Sequence, residues 1–399
     1  MNDIAIGSAE FFANPYPTYA QMRETNPVYW DERAKRWFIT RYDDVVAATN
    51  HPGISVARIP PTERLAAMGL TAMEPVYAMM RRQMMFVDAP QHTRIRGLVH
   101  KAFTPATMNA LRGHIQRTTD ELLAPYENAH AMDVTQAIAF PLPAIVIAEI
   151  LGISPRDRDQ FKKWSADFAE LVGNPMRPME RLIEIKNSAL ELLEYLRATI
   201  ARLRKSPENN IMSELVRVEE KGEMLTEDEL LANAIVLLVA GHETTTNLIA
   251  NGLLCLLREP AEMQRLRDDP SLTPSAIEEF LRFEGPLQMV GRISKTEIRI
   301  GDTTIGPGQI IMLGLASANR DPKMFVDPDR LDIGRKENRH VAFSVGAHYC
   351  LGAALARIEG QIAIGSMLRR FPHLSLDPAP LDWHQNLSFR GLRSLNVRF

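Results

Sequence analysis

The stretch from Thr226 to Pro260 constrains this chain more than any other. Thr226-Glu-Asp-Glu229 reads as a capping box, in which a threonine and a glutamate three residues on satisfy each other's backbone N–H groups. The residues that follow stay largely apolar to Arg258 and stop before Pro260. At ~1.5 Å per residue such a helix is about 48 Å long, enough to cross a molecule of this size. Its middle breaks the local rules. Ala240-Gly-His-Glu-Thr-Thr245 sets a glycine, which costs about 1 kcal/mol relative to alanine, in a helix interior. Three successive threonines from Thr244 add β-branched crowding and compete for backbone carbonyls. A harmless polar turn is the plain reading, but such violations concentrate at functional sites.

The rest of the chain reads as helix with little sheet. Pro27 to Trp30 and Arg36 to Thr40 suggest two short strands around Asp31-Glu32, followed by a helix over Tyr42 to Thr49. From Gln91 to about Arg204 the pattern is helical, with breaks at Pro105, Pro125, Pro141 to Pro143, Pro155 and Pro175 to Pro178. A second sheet is predicted from the alternation of Thr296, Ile298 and Ile300, the turn Gly301-Asp302, and Ile310 to Leu313; Leu381 to Phe399 is partly strand-like. The fold class is therefore mainly α with small segregated β-sheets. No repeat, low-complexity tract or Gly/Ser-rich linker divides the 399 residues, so a single domain over 1–399 is expected.

A net charge of -3 gives no broad basic field for nucleic acid. The amino terminus shows no basic region followed by an apolar one, so no secretory signal is read there. Phe140 to Leu151 and Ala232 to Ala240, the most apolar stretches, fall short of the roughly 20 residues of a bilayer span. A cytoplasmic protein without membrane attachment is expected, acting as a monomer. Two cysteines, Cys255 and Cys350, are too few for a disulfide scaffold and suit a reducing compartment.

Cys350 stands at the amino end of an amphipathic run, Leu351 to Arg370, where unpaired N–H groups and the helix dipole favour a thiolate. Gly346 and Gly352 flank it without side chains, so something flat can approach the backbone. A buried structural thiol is the commoner role of a lone cysteine, and Cys255, among Leu253, Leu254 and Leu256, has that character.

The segment Phe343 to Gly352 resembles the cysteine-ligand loop of the cytochrome P450 family, Phe-Gly-x-Gly-x-His-x-Cys-x-Gly, at Phe343, Gly346, His348, Cys350 and Gly352; Ser344 replaces the first glycine. Ala240-Gly-His-Glu-Thr244 resembles the family's oxygen-activation motif. Glu279 and Arg282 match its Glu-x-x-Arg pair, followed by a similar meander through Asn319-Arg-Asp-Pro322, Phe325, Asp327-Pro328 and Arg335. As an isolated i,i+3 pair, Glu279 and Arg282 would read as a solvated surface contact. His92 and Arg96 match the family's His-x-x-x-Arg, and i,i+4 spacing puts both on one side of a helix. The resemblance runs from about Pro15 to the carboxyl terminus.

That resemblance implies haem b with Cys350 as axial ligand to the iron. His92, Arg96, Arg292 and His348 would meet the propionates, and Ala240, Gly241, Phe343, Gly346 and Gly352 would adjoin the ring. The long helix would open beside the iron, Thr244 would hydrogen-bond the activated dioxygen, and Glu243 would feed protons from water. Glu279, Arg282 and Arg335 would be structural. The family's pocket segments here hold Met84, Met85, Val236, Val239, Leu287, Met289, Val290 and Phe389, so an apolar site and a hydrophobic small-molecule substrate are expected. The implied reaction inserts one oxygen atom of dioxygen, by C–H hydroxylation or a related oxidation. Nothing resembles a flavin or ferredoxin module, so electrons would come from a separate ferredoxin or flavodoxin with its reductase. A peroxide-driven or non-oxygenating haem-thiolate enzyme, or a haem-based sensor, are the rival readings.

Overall fold

The structure, a computed structural model, describes residue 4 and residues 6–173, 177–220 and 225–399. Its contacts divide into two compact units, one of residues 1–54, 111–142 and 244–399, the other of 55–110 and 143–243.

The first unit carries nearly all the β-structure. Val28–Asp31 and Arg36–Ile39 pair as an antiparallel hairpin whose turn is closed by the Asp31 carboxylate, which accepts the N–H groups of Arg33 and Ala34. Ile310–Gly314 runs parallel to Arg36–Ile39, Met289–Ser294 lies antiparallel beyond it, and Ile54–Ser55 forms the far edge. This corrects the predicted second sheet. Ile298–Ile300 closes instead on Thr303–Ile305, in a two-stranded hairpin with Gly301 at φ 56°. Ile310 to Leu313 is a continuous apolar run rather than an alternating one, and such a run fits a strand covered on both faces; Ile311, Met312 and Leu313 are all buried there. A third small sheet joins Ala131–Asp133, Asn396–Arg398 and Ser375–Leu376, which accounts for part of the strand-like tail.

The helices Arg112–Leu123, Thr273–Phe283 and Ala353–Arg370 complete this unit with the carboxyl-terminal part of a 32-residue helix, Glu227–Arg258. Gly252 lets that helix close on its neighbours. A Cβ there would lie 2.8 Å from Phe280 and 2.9 Å from Ile364.

The second unit is helical, with Gln91–His100, Arg158–Gly173, Met179–Lys205, Ile211–Glu220, most of Pro141–Ile150, and the amino-terminal part of the long helix. Prolines punctuate it as the sequence suggests: Pro105, Pro141 and Pro155 each open a helical element, and Pro178 precedes Met179–Lys205. Pro125 sits in a 3-10 turn, and Pro175 lies outside the described residues. The long helix starts on its capping box, the Thr226 N–H donating to Glu229 Oε2 at 3.0 Å and the Glu229 N–H to Thr226 Oγ1 at 3.2 Å. The expected opening near its middle is not seen: Ala240 to Thr245 are helical throughout. Gly241 has a packing reason instead, since a Cβ there would meet Ile147 at 3.1 Å. Among the described residues, no helix is long and apolar enough to cross a membrane.

Candidate active site

The loop before the Ala353–Arg370 helix is wound tightly. The Ser344 N–H donates to the Val341 carbonyl at 2.8 Å, the Tyr349 N–H to Gly346 at 3.1 Å, and the Cys350 N–H back to Phe343 at 2.9 Å. Two of its residues are left-handed, Ser344 at φ 61° and Gly346 at φ 70°. At Gly346 a side chain would strike Asn50 Oδ1, 2.2 Å from the Cβ position, so the glycine serves both conformation and space. Ser344 adopts the conformation for which the family's glycine is suited, with its hydroxyl buried and without a partner. The helix cap is Gly352, so Cys350 lies two residues outside the cap rather than at it, in the short link after the Gly346–His348 turn.

The two cysteines differ sharply. Cys255 is buried in the long helix, and burial pushes its thiol far up, which disfavours a thiolate. Cys350 is exposed, and a Cβ at neighbouring Gly352 would meet nothing within 4 Å. A flat group can therefore approach this sulfur. Among the described residues no three His, Cys, Asp or Glu side chains cluster to hold a bare metal ion. An iron on the Cys350 sulfur would thus need its remaining ligands from a cofactor, which is what a porphyrin supplies.

Four side chains could each meet a porphyrin's carboxylate. Arg292 is buried on the Met289–Ser294 strand, its Nη1 donating to the Gly291 carbonyl at 2.9 Å. His348 is half-buried in the Gly346–His348 turn. In the other unit His92 and Arg96 lie one turn apart on Gln91–His100. Burial holds the His92 imidazole below its ordinary value, the Arg96 charge adds to this, and Asp88 opposes it.

Between its ends the long helix exposes one short stretch. Leu230 to Val239 and Thr245 to Leu257 are buried, whereas Ala240 is exposed and Gly241, Glu243 and Thr244 are half-buried. His242 turns the other way, its Nδ1 3.0 Å from Ser165 Oγ. The residues of the family motif therefore share the accessible face of the helix.

Of the expected pocket residues, Val236 and Val239 are buried on this helix, and Met84 lies beside it because Asn233 Oδ1 accepts the Met84 N–H at 2.9 Å. Met85 follows, half-buried, in the Met84–Phe86 turn. Asn233 was not singled out by the sequence analysis, although a lone amide in an apolar helical run is a legible signal. In the first unit Leu287 bridges Phe389, and Met289 and Val290 continue into the strand that follows.

Glu279 and Arg282 are fully buried, against the surface reading of an isolated pair. Arg282 Nε and Nη2 each donate to the Glu279 carboxylate at 2.8 Å, and Nη1 reaches the carbonyls of Asn319 and Pro328. Glu279 also accepts from Arg335 Nε, Asn338 Nδ2 and the Asp332 N–H. The pair thus pins the whole meander to the Thr273–Phe283 helix. Two further groups carried no legible signal: Glu359, fully buried on the Ala353–Arg370 helix, and Arg357, which grips Glu278 beneath the cysteine loop.

Comparison with known proteins agrees with this geometry. A sequence model of the family described as Cytochrome P450 matches residues 45–384. The chain is 37% identical over 399 residues to the biotin biosynthesis cytochrome P450 of Bacillus subtilis, covering 99% of this chain and 98% of the relative. It is 38% identical over 399 residues to the vitamin D(3) 25-hydroxylase of Pseudonocardia autotrophica, covering 98% and 95%. Its fold superposes with a TM-score of 0.90 on P450BioI in complex with hexadec-9Z-enoic acid ligated acyl carrier protein, at 36% identity over 98% of this chain and 100% of that one. With end-to-end similarity of this extent, beside the tightly wound cysteine loop and the buried Glu279–Arg282 lock, the chain belongs to the cytochrome P450 family of haem-thiolate monooxygenases.

Proposed function

We propose that the Cys350 thiolate would hold the haem iron and that the whole chain works as one haem domain. The observation that carries this is the contrast between the two thiols, one exposed on a loop with open space beside it, the other sealed in a helix core. His92, Arg96, Arg292 and His348 hold the propionates, which would be costly to bury without cationic or hydrogen-bonding partners. The haem supplies binding and reductive activation of dioxygen, the protein position, proton supply and exclusion of water. Thr244 presents its hydroxyl on the accessible face of the helix as a hydrogen-bond donor, and Glu243, beside it in sequence, relays protons from solvent to that hydroxyl.

The substrate is a hydrophobic small molecule oxidised at a C–H bond, held by Met84, Met85, Val236, Val239, Leu287, Met289, Val290 and Phe389. Apolar lining at these positions and the fatty acyl and vitamin D ligands named for two relatives support that class. Electrons come from a separate ferredoxin or flavodoxin with its reductase, in the cytoplasm. A relay made of Glu243 and Thr244 favours dioxygen over preformed peroxide as oxidant, because peroxide already carries the protons that the relay would deliver.

The test is the absorption spectrum of the reduced, carbon-monoxide-bound protein beside that of Cys350→Ala. A Soret band far to the red of that of imidazole-ligated haem, lost in the variant, is expected. Retention of that band in Cys350→Ala would transfer the ligand role to Cys255 and overturn the assignment. For the relay, Thr244→Ala is expected to consume oxygen while releasing peroxide in place of product. Unchanged coupling would remove Thr244 from the mechanism.

A further inference from the structure

One guanidinium gathers the cysteine loop from both sides. Arg357 lies seven residues after Cys350, on the Ala353–Arg370 helix. Its Nε and Nη2 donate to the two carboxylate oxygens of Glu278 at 2.6 and 2.8 Å, and its Nη1 to the Tyr349 hydroxyl at 3.3 Å. Its guanidinium carbon stands 4.6 Å from the centre of the Phe343 ring, a cation–π contact. His340 Nε2 reaches the same Glu278 carboxylate at 3.1 Å, and the rings of His340 and Tyr349 lie 5.9 and 6.2 Å from that of Phe343. Arg357 and His340 therefore meet on one carboxylate, Phe343 and Tyr349 contact the Arg357 guanidinium, and Tyr349 is the covalent neighbour of Cys350.

Packing alone does not require charges here. The Glu278 and Arg357 side chains are each 29% exposed, so an apolar pair would tie the loop without giving up hydration. Partial burial pushes the Glu278 carboxyl up, yet hydrogen bonds from Arg357 and His340 hold it at about 2, so it stays ionised. Two opposite, permanent charges thus sit beside the sulfur's own loop and nearly cancel.

Resting on Cys350 as the ligand, we propose that Glu278 and Arg357 are positioning residues whose paired charges trim the electron donation of the Cys350 thiolate and so set the reduction potential of the haem iron. Adding an electron to the iron is disfavoured by nearby negative charge and favoured by positive charge, and charges around the ligand are among the levers that set haem potentials. Each partner is necessary because removing one leaves the other uncompensated.

The experiment is a spectroelectrochemical titration of haem-loaded Glu278→Gln, Arg357→Gln, Arg357→Lys and the Glu278→Gln/Arg357→Gln pair, with carbon-monoxide spectra of each. At the wild-type midpoint, the ferrous-to-ferric ratio is expected to rise about threefold or more in Glu278→Gln and to fall by a similar factor in Arg357→Gln, as a lone charge at this range predicts. It returns toward wild type in the double variant and stays within about twofold in Arg357→Lys, which keeps the charge and loses the fork. Arg370→Gln is the control. Arg370 pairs with Asp120 and Glu127 thirteen residues further along the same helix, about 20 Å away, and should not move the ratio. Shifts of the same sign in both single variants, or none, would overturn the proposal and leave a packing contact. If Arg357→Gln takes up no haem, the sign in Glu278→Gln decides alone. A wild-type protein without the red-shifted carbon-monoxide band would instead overturn the Cys350 assignment beneath it.

Discussion

Ser344 holds a left-handed backbone at φ 61° with a buried hydroxyl that has no partner. An L-residue in that region costs about 1–2 kcal/mol, and an unsatisfied buried hydroxyl adds about 1 kcal/mol or more. Against this, glycine gives the unfolded chain extra freedom worth about 0.4–1 kcal/mol. Ser344→Gly is therefore expected to stabilise the protein by about 1 kcal/mol, read as a higher denaturant midpoint at unchanged slope. Glu359 makes the second residue-scale prediction. Burial drives its carboxyl up to about 8, with only a hydrogen bond from Thr245 opposing, and its Oε2 has no partner. A carboxyl whose folded value lies above its unfolded one binds more protons when folded, so stability falls as pH rises from about 4.5 toward 8. Glu359→Gln cannot titrate; it should match the wild type near pH 5 and exceed it above pH 8, as paired melting curves would register. An equal gap at both pH values would show Glu359 ionised throughout.

Gly252 shows why elements were legible from sequence when their contacts were not. The capping box and the Pro260 stop delimit the long helix to the residue, because caps and breakers act through neighbours in the chain. That Gly252 receives Phe280 and Ile364, from two other helices, depends on residues far along the sequence. Gly252→Ala must displace one of those side chains and is expected to cost about 1–3 kcal/mol despite alanine's better helix propensity, a loss measurable by chemical unfolding. Ile310–Gly314 was misplaced for the same reason: its apolar content marked a strand, but not its parallel partner Arg36–Ile39, more than 270 residues earlier. The candidate site divides likewise. Cys350, Gly346 and the Ala240–Thr244 stretch are contiguous patterns, whereas Glu359 and the grip of Arg357 on Glu278 emerge only when separate elements meet.

The first unit draws on three chain segments, and one buried ion pair ties together their most distant parts. Arg390, stacked 3.6 Å over Trp383, pairs through Nε with Glu284 and donates to the carbonyls of Phe12 and Ala13 at 2.8 and 3.1 Å. Tyr16 donates to the same glutamate at 2.9 Å, and Asn251 Nδ2 reaches the carbonyls of both Glu284 and Arg390. The amino-terminal segment, the long helix, the turn after Phe283 and the carboxyl-terminal hairpin are thereby joined at one point. Breaking a buried pair on one side strands the other charge, at a cost of about 3–5 kcal/mol, whereas removing both partners costs less than the two losses added. Arg390→Met should therefore destabilise more than Arg390→Met combined with Glu284→Gln, and the double-mutant cycle should return a coupling of about 1 kcal/mol or more. Strict additivity would mean that the backbone contacts of Arg390 with Phe12 and Ala13, rather than its charge, hold the ends of the chain in place.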